Sequence, residues 1–199
     1  EYKGQKVGSI GKAGCFSFFA NKILTTGEGG MVTTSDPVFA ERVNSLKSLA
    51  FGKQNKFQHL EVGFNYRLTN LQAAMGCEQV KNAENLIKKR INIAKFYTER
   101  LEQYSDVLLL PYERPGTKNV YWMYHLLLRP DGLLKGKRDS ITLELKNRGI
   151  ETRFGFVPFN KQDIFIDAGY TQKGECPVAA STSDVSFYLP SGPNISRQE

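Results

Sequence analysis

An extended helical pattern over residues 69–104 constrains the fold of this chain more than any other feature. Apolar residues recur there at helical spacing, and they are Leu71, Ala74, Met75, Ala83, Leu86, Ile87, Ile93, Ala94, Tyr97 and Leu101. Thr69 and Gln72 predict a capping box at its first turn. At 1.5 Å per residue the helix measures roughly 50 Å, which is too long for one compact layer. We therefore expect a connector, straight or bent, between two domains.

The segments before this connector predict an α/β arrangement. Residues 15–19 alternate aromatic and polar side chains and predict a strand, and residues 31–34 predict its partner after a glycine-rich turn. Asp36 followed by Pro37 predicts a helix start, and the apolar positions of that helix are Phe39, Val43, Leu46 and Ala50. Residues 51–66 show no clear period, and irregular loops of this length tend to be functional.

The segments after the connector predict a small α+β unit. Residues 107–110 and 121–128 predict two strands. Residues 140–148 predict a helix that ends at Gly149, and residues 150–152 predict a further strand. No internal repeat and no low-complexity segment is visible in the sequence.

Composition is that of an ordinary soluble protein, with 40% hydrophobic and 24% charged residues. The net charge of +7 is scattered apart from short runs at residues 88–90 and 135–138, which favours anionic small ligands over nucleic acid. Cys15, Cys77 and Cys176 form neither a disulfide framework nor a zinc motif. Apolar stretches are too short to span a membrane. We expect a cytoplasmic protein without a metal site.

Lys22 lies in the segment that carries the most chemistry, residues 16–31. Aromatic residues precede it and a glycine-rich turn follows it. Dehydration in such surroundings disfavours the charged form of an amine, and a neutral amine can attack an aldehyde. From chemistry alone, the favoured interpretation of Lys22 is a surface lysine beside a turn. The favoured interpretation of Ser17 is then a residue hidden within a strand.

Four segments in order resemble the signatures of one enzyme family, and they are residues 17–30, 63–74, 151–162 and 188–192. The family is that of the DegT/DnrJ/EryC1/StrS sugar aminotransferases. The matches span nearly the whole chain, which makes them specific. The resemblance is to the perosamine synthases in particular, which aminate a nucleotide-linked 4-keto-6-deoxyhexose.

The resemblance implies an α/β fold of the pyridoxal-phosphate-dependent transferase fold type I, which is aspartate-aminotransferase-like. Residues 1–85 would form the C-terminal part of the large mixed-sheet domain, and residues 86–199 the connector helix with a small α+β C-terminal domain. An N-terminal half that pairs with the cofactor ring would precede this chain. Residues 194–199 resemble a helix start, which indicates that the C-terminal end is truncated as well.

The resemblance also implies roles for three residues. Lys22 matches the lysine that holds pyridoxal 5′-phosphate as a Schiff base and then shuttles a proton. Ser17 matches a serine that contacts the cofactor phosphate. Asn65 matches an asparagine that reaches the phosphate in the neighbouring subunit. A homodimer with shared active sites would follow from this last match.

Three further residues are candidates for substrate binding. Arg67 could meet an anionic group of the donor or of the sugar nucleotide, or it could brace its loop through a salt bridge. His59 lies where relatives often have a histidine near the substrate. Phe156 lies in a segment that borders the sugar pocket in relatives. Asn160 departs from the usual histidine there, so the identity of the sugar stays open.

The implied reaction is transfer of an amino group from an amino acid, glutamate by expectation, to the C4 keto group of a nucleotide-linked deoxysugar. The product would serve surface polysaccharide or glycoconjugate synthesis, such as that of lipopolysaccharide O-antigen. A related alternative is a sugar dehydratase that uses pyridoxamine phosphate, but such relatives carry histidine where this chain keeps Lys22. A second alternative is a non-catalytic basic binding module that uses residues 51–57.

Overall fold

The computed structural model describes residues 1–52, 54–55 and 57–196 of the chain. The chain divides into two compact units. Glu1–Ile87 and Arg114–Asn119 form the first unit, and Lys88–Glu113 with the residues from Val120 onwards form the second.

A two-stranded antiparallel hairpin is the sheet of the first unit. It pairs β1 (Gly14–Ser17) with β2 (Gly30–Thr33), so that Phe16 lies opposite Met31. This hairpin confirms the two strands expected on either side of the glycine-rich turn. Phe16 and Met31 keep 42% and 50% of their surface exposed.

Helix α1 (Pro37–Lys47) follows the hairpin and begins as predicted. Asp36 accepts hydrogen bonds from the backbone N–H groups of Val38 and Phe39, both at 3.0 Å. These bonds, that from Phe39 foremost, hold the pKa of the Asp36 carboxyl below its usual value. Proline occupies the first helical position, where no N–H partner is needed.

Described residues between α1 and the next helix form no regular helix or strand, as predicted. Leu49 and Ala50 adopt left-handed backbone conformations, with φ of 69° and 50°. The chain then returns so closely that a Cβ on Gly63 would lie 2.4 Å from the carbonyl carbon of Leu49. Glycine is therefore required at position 63, and the segment is ordered by backbone contacts rather than by a ladder.

The long helical pattern forms two helices rather than one. Helix α2 (Asn70–Lys81) has Asn82 as its C-cap, and α3 (Ala83–Leu101) follows directly, with a short 3-10 turn over Glu102–Tyr104. The side chain of Asn82 accepts a hydrogen bond from Asn85 at 3.2 Å. The single residue Asn82 separates the two helices, which the apolar periodicity could not reveal. The capping box of Thr69 and Gln72 is confirmed.

A four-stranded antiparallel sheet organises the second unit, in the order β3-β4-β6-β5. The strands are β3 (Leu108–Leu109), β4 (Tyr124–Leu128), β5 (Arg153–Phe154) and β6 (Ser186–Leu189). Strand β4 begins later than predicted because Tyr121 has a positive φ of 47°, which a strand does not accommodate. Strand β5 lies beyond the predicted residues 150–152, and β6 was not predicted.

One face of this sheet carries the core of the second unit. Tyr124, Leu126 and Leu128 alternate along β4 and are each at most 2% exposed, and Phe187 of β6 joins them. Ala94 of α3 belongs to this cluster as well, and Tyr97 of the same helix packs against it. The remaining helices of the unit are α4 (Arg138–Asn147), α5 (Asp163–Asp167) and α6 (Pro177–Val185), with a 3-10 turn over Phe159–Lys161.

Arg90 is a buried cation within the second unit. Its Nη1 donates to the Trp122 carbonyl and to Ser191 Oγ, both at 3.1 Å. Burial lowers the pKa of the guanidinium. These bonds join the start of β4 to the segment that follows β6.

Among the described residues, no helix has both the length and the apolar character required to cross a membrane.

Replacement of Leu126 by alanine should lower the free energy of unfolding by about 2–5 kcal/mol, because it removes buried methyl groups from the sheet core. Leu133→Ala is the matched control, because Leu133 is 89% exposed, and it should change stability by about 0.5 kcal/mol or less. Urea unfolding followed by the fluorescence of Trp122 reports on this unit. Equal midpoints for the two variants would contradict the assignment of the core.

Candidate active site

The residues between the two strands of the hairpin form a closed loop that presents Lys22. We call residues 18–29 the lysine loop. Phe18 closes its base, because its N–H donates to the Gly29 carbonyl at 2.9 Å and its carbonyl accepts from the Thr26 N–H at 3.0 Å. Thr25 Oγ1 donates to the same Phe18 carbonyl at 3.0 Å. The two ends of the loop are therefore held together by several bonds at one residue.

Lys22 and Ser17 are joined through the peptide groups of Phe19. The Lys22 N–H donates to the Phe19 carbonyl at 3.0 Å, and Ser17 Oγ accepts from the Phe19 N–H at 3.4 Å. Lys22 is half-buried, whereas Ser17 is exposed. Because Ser17 Oγ accepts in this contact, its hydroxyl proton remains to be donated to a ligand. The backbone contacts at Phe19 thus order the short segment that contains both predicted residues.

One face of α2 supports the lysine loop. Gln72 Nε2 donates to the Glu28 carbonyl at 3.1 Å, and Gln79 Oε1 accepts from the Thr25 N–H at 3.5 Å. Gly76 lies between these glutamines, where an added Cβ would be 3.1 Å from Thr26 Cγ2. Sequence reasoning missed this support. Its signal was the spacing of Gln72, Gly76 and Gln79 by four and three residues, which places them on one helix face.

Asn65 lies on a short segment, residues 64–68, that contacts the end of α1 through its first residues and the lysine loop through its last. The N–H groups of its neighbours Phe64 and Tyr66 donate to backbone carbonyls at the end of α1, at 2.7 and 2.9 Å. Three residues further on, Leu68 packs so close to Gly29 that a Cβ on this glycine would lie 2.7 Å from Leu68 Cδ2. The segment is fixed at both ends, while the Asn65 side chain is exposed.

Arg67 and His59 complete the predicted residues of the first unit. Arg67 is exposed on the same segment as Asn65. His59 is exposed as well, but its Nδ1 lies 2.6 Å from the Leu49 carbonyl and its ring packs against Phe51 with centroids 4.9 Å apart. Lys53 and Lys56, which belong to the basic segment 51–57, lie outside the described residues.

Phe156 belongs to the second unit, where it is 69% exposed and stacks on Trp122 with ring centroids 6.3 Å apart. Asn160 follows in the same segment and is 3% exposed. Among the described residues its side-chain amide has no hydrogen-bond partner. His125 alternates with the core residues of β4 and lies on the opposite face of the sheet, where its Nε2 is buried without a hydrogen-bond partner in the described part of the chain, and burial lowers the pKa of its imidazole.

Comparison with known proteins decides the family. The model of the DegT/DnrJ/EryC1/StrS aminotransferase family matches residues 1–199. The chain belongs to this family.

Similar relatives carry the name that the resemblance implied. The GDP-perosamine synthase of Caulobacter vibrioides is 36% identical over 80% of this chain and 42% of its own length. That of Escherichia coli O157:H7 is 32% identical over 100% of this chain and 52% of its own length. The chain therefore spans about half the length of these curated relatives.

A solved structure supports the fold. The aminotransferase PseC of Helicobacter pylori, involved in the biosynthesis of pseudoaminic acid, superposes with a TM-score of 0.88 at 26% identity, over 100% of this chain and 53% of its own. The α/β class and the relation to fold type I aminotransferases are thereby confirmed. The division into domain pieces at residues 1–85 and 86–199 stays a prediction.

Enzymes of this family use pyridoxal 5′-phosphate. The donor set of the first unit fits such a group. An amine that can bond to an aldehyde and a neutral hydroxyl that can donate to a phosphate lie five residues apart, on opposite sides of Phe19. Lys22 lies in a loop that is closed at its base and supported by α2, and Ser17 is the last residue of β1, so both side chains start from an ordered backbone.

Proposed function

We propose that the protein containing this chain transfers an amino group from glutamate to the C4 keto group of a nucleotide-linked deoxysugar. The lysine loop is the observation that carries this proposal, because it is closed at its base, it contains the half-buried residue Lys22, and it directly follows Ser17. The GDP-perosamine synthases among its relatives support the choice of sugar and of the C4 position. Surface polysaccharide or a related glycoconjugate is the expected destination of the product.

Lys22 is the residue that forms the covalent bond to the cofactor and then moves the proton. When bound, pyridoxal 5′-phosphate supplies an electron sink for the charge that develops at the donor α-carbon. Lys22 Nζ, once displaced by the amino donor, accepts the proton from that α-carbon and later returns one. An amine that does both must stay in place between the two events, and the closed base of its loop limits how far it can move.

Ser17 holds the cofactor phosphate in this proposal. Its hydroxyl extends from the last residue of β1, and strands give a more exact position than loops do. The hydroxyl is neutral, so it can donate to a phosphate oxygen without adding charge to the site.

Asn65 serves the active site of a second copy of the chain in this proposal, so that the enzyme is a homodimer. The surface next to Asn65 supports an interface. Tyr66, Leu71 and Met75 are 74%, 80% and 50% exposed, and the last two lie one turn apart on α2, where they form an apolar face. Exposed apolar patches of this kind mark protein–protein contacts.

Arg67, His59 and Phe156 are proposed to bind the substrates. Arg67 suits an anionic group, either the donor carboxylate or the diphosphate, because a guanidinium binds such groups through two bonds. The contact of His59 Nδ1 with the Leu49 carbonyl leaves Nε2 for a substrate hydroxyl. Phe156 offers an exposed ring face to a sugar or a base.

The reaction is tested with the full-length protein, GDP-4-keto-6-deoxymannose and glutamate. We expect the 4-amino sugar nucleotide and 2-oxoglutarate in equal amounts. Lys22→Arg should lower turnover by at least about a hundredfold, because it removes the group that moves the proton. Lys146→Arg, at an exposed position of α4, is the matched control and should retain turnover. Loss of a sugar hydroxyl without release of 2-oxoglutarate would instead favour dehydration.

Mixed dimers test the shared site. A Lys22→Ala subunit and an Asn65→Ala subunit should each be impaired alone. A mixed dimer contains one site with both residues intact, so equal mixing with free exchange should restore about a quarter of the wild-type sites. Restored turnover is the readout, and differently tagged subunits verify that mixed dimers form. If mixed dimers form without recovery, Asn65 acts in its own subunit and the proposal for this residue is wrong.

A further inference from the structure

Gln72 occupies a central place between α2 and the lysine loop. Its side-chain carbonyl Oε1 accepts from the Thr69 N–H at 2.9 Å, which completes the capping box. Its Nε2 donates to the Glu28 carbonyl at 3.1 Å. A glutamine amide has one accepting and one donating end, and here both ends are used. A capping box requires only the accepting end.

The Glu28 carbonyl is a junction of two bonds from different elements. Besides Gln72 Nε2, it accepts from Thr26 Oγ1 at 2.7 Å. Thr26 is itself 3% exposed, and its N–H forms part of the closed base of the loop. The hydrogen bond from Gln72 therefore holds Glu28, which lies between the closed base of the lysine loop and its glycine residues.

The contact between the loop and α2 leaves little space. A Cβ on Gly76 would lie 3.1 Å from Thr26 Cγ2, and a Cβ on Gly29 would lie 2.7 Å from Thr26 Oγ1. Gly29 also has a φ of 145°, which side chains rarely adopt. Packing this close leaves the loop little freedom to shift along the helix, and the hydrogen bond from Gln72 fixes its position there.

We propose that Gln72 is a positioning residue for Lys22, acting through its Nε2 bond to the Glu28 carbonyl. The inference rests on the proposed role of Lys22 as the covalent and proton-moving group. Groups that move protons must be held within about 0.5 Å of the productive position. Gln72 meets this need by joining the start of α2 to the loop, so the cap of the helix and the placement of the amine depend on one side chain.

Gln72→Glu in the full-length protein separates the two functions of this side chain. A carboxylate still accepts from the Thr69 N–H, and glutamate is itself a usual residue at this capping-box position. The donor to the Glu28 carbonyl is lost, and a carboxylate oxygen faces that carbonyl instead. Helix α2 should keep its stability while the lysine loop loosens.

The first readout is hydrogen exchange of the protein without cofactor. Amides of residues 25–29 should exchange about tenfold faster in Gln72→Glu, because one hydrogen bond that holds the loop is gone. The second readout is the half-reaction with glutamate, in which kcat should fall about tenfold while KM stays within about twofold. A role confined to helix stability would move neither the local exchange nor kcat selectively.

Two further variants keep the test decisive. Gln103→Glu removes a side-chain amide that donates to the Arg100 carbonyl at 2.9 Å on an exposed surface of the second unit, and it should behave as wild type. Thr69→Ala weakens the helix cap but retains the bond from Gln72 to Glu28. If Thr69→Ala lowers kcat as much as Gln72→Glu, helix stability explains the effect and the inference is overturned.

Failure of the inference and failure of the proposed function give different results. If wild-type Lys22 bonds to the cofactor aldehyde and Gln72→Glu matches the wild type in exchange and in kcat, the role of Gln72 is wrong and that of Lys22 stands. If wild-type Lys22 forms no such bond, the proposed function fails, and faster exchange in Gln72→Glu would then describe a structural contact only.

Discussion

The closed base of the lysine loop is the constraint on which the candidate site depends. Phe18 joins the end of β1 to the residues that precede β2 by donating to the Gly29 carbonyl and accepting from Thr26. Because of this closure, the residues that carry Lys22 are a short ordered turn rather than a free loop. Fixing the backbone of one residue costs about 1–2 kcal/mol in conformational entropy. Because the loop is ordered when the hairpin folds, this loss does not accompany the binding of a cofactor.

Helix α2 has two faces that serve different purposes. Gln72, Gly76 and Gln79 support the lysine loop, whereas Leu71 and Met75 are exposed about a quarter turn away. An interface on the second face would bring a neighbouring subunit against the same helix that supports the lysine loop. In the proposed homodimer, α2 would contact the partner subunit with one face and support the lysine loop with the other. This arrangement gives a physical reason for active sites that lie near the interface.

Local signals in the sequence were sufficient for some elements and not for others. The cap of α1 and the capping box of α2 depend on residues within four positions of each other, and both were predicted. Strand β6 pairs with β4 about sixty residues earlier, so its place in the sheet has no local signal. The bond from Gln72 to Glu28 spans 44 positions and was missed for the same reason. The candidate site residues, in contrast, came from the resemblance of short segments to one family, because chemistry alone favoured a surface lysine at position 22 and a strand residue at position 17.

The central claim is that Lys22 is set apart from the other lysines of this chain. Incubation of the full-length protein with pyridoxal 5′-phosphate, reduction with borohydride and peptide mapping test it directly, because the reduction makes any bond between a lysine and the aldehyde permanent. The account predicts a single modified lysine at position 22. Label spread over exposed lysines such as Lys12 and Lys81, with none on Lys22, would contradict it.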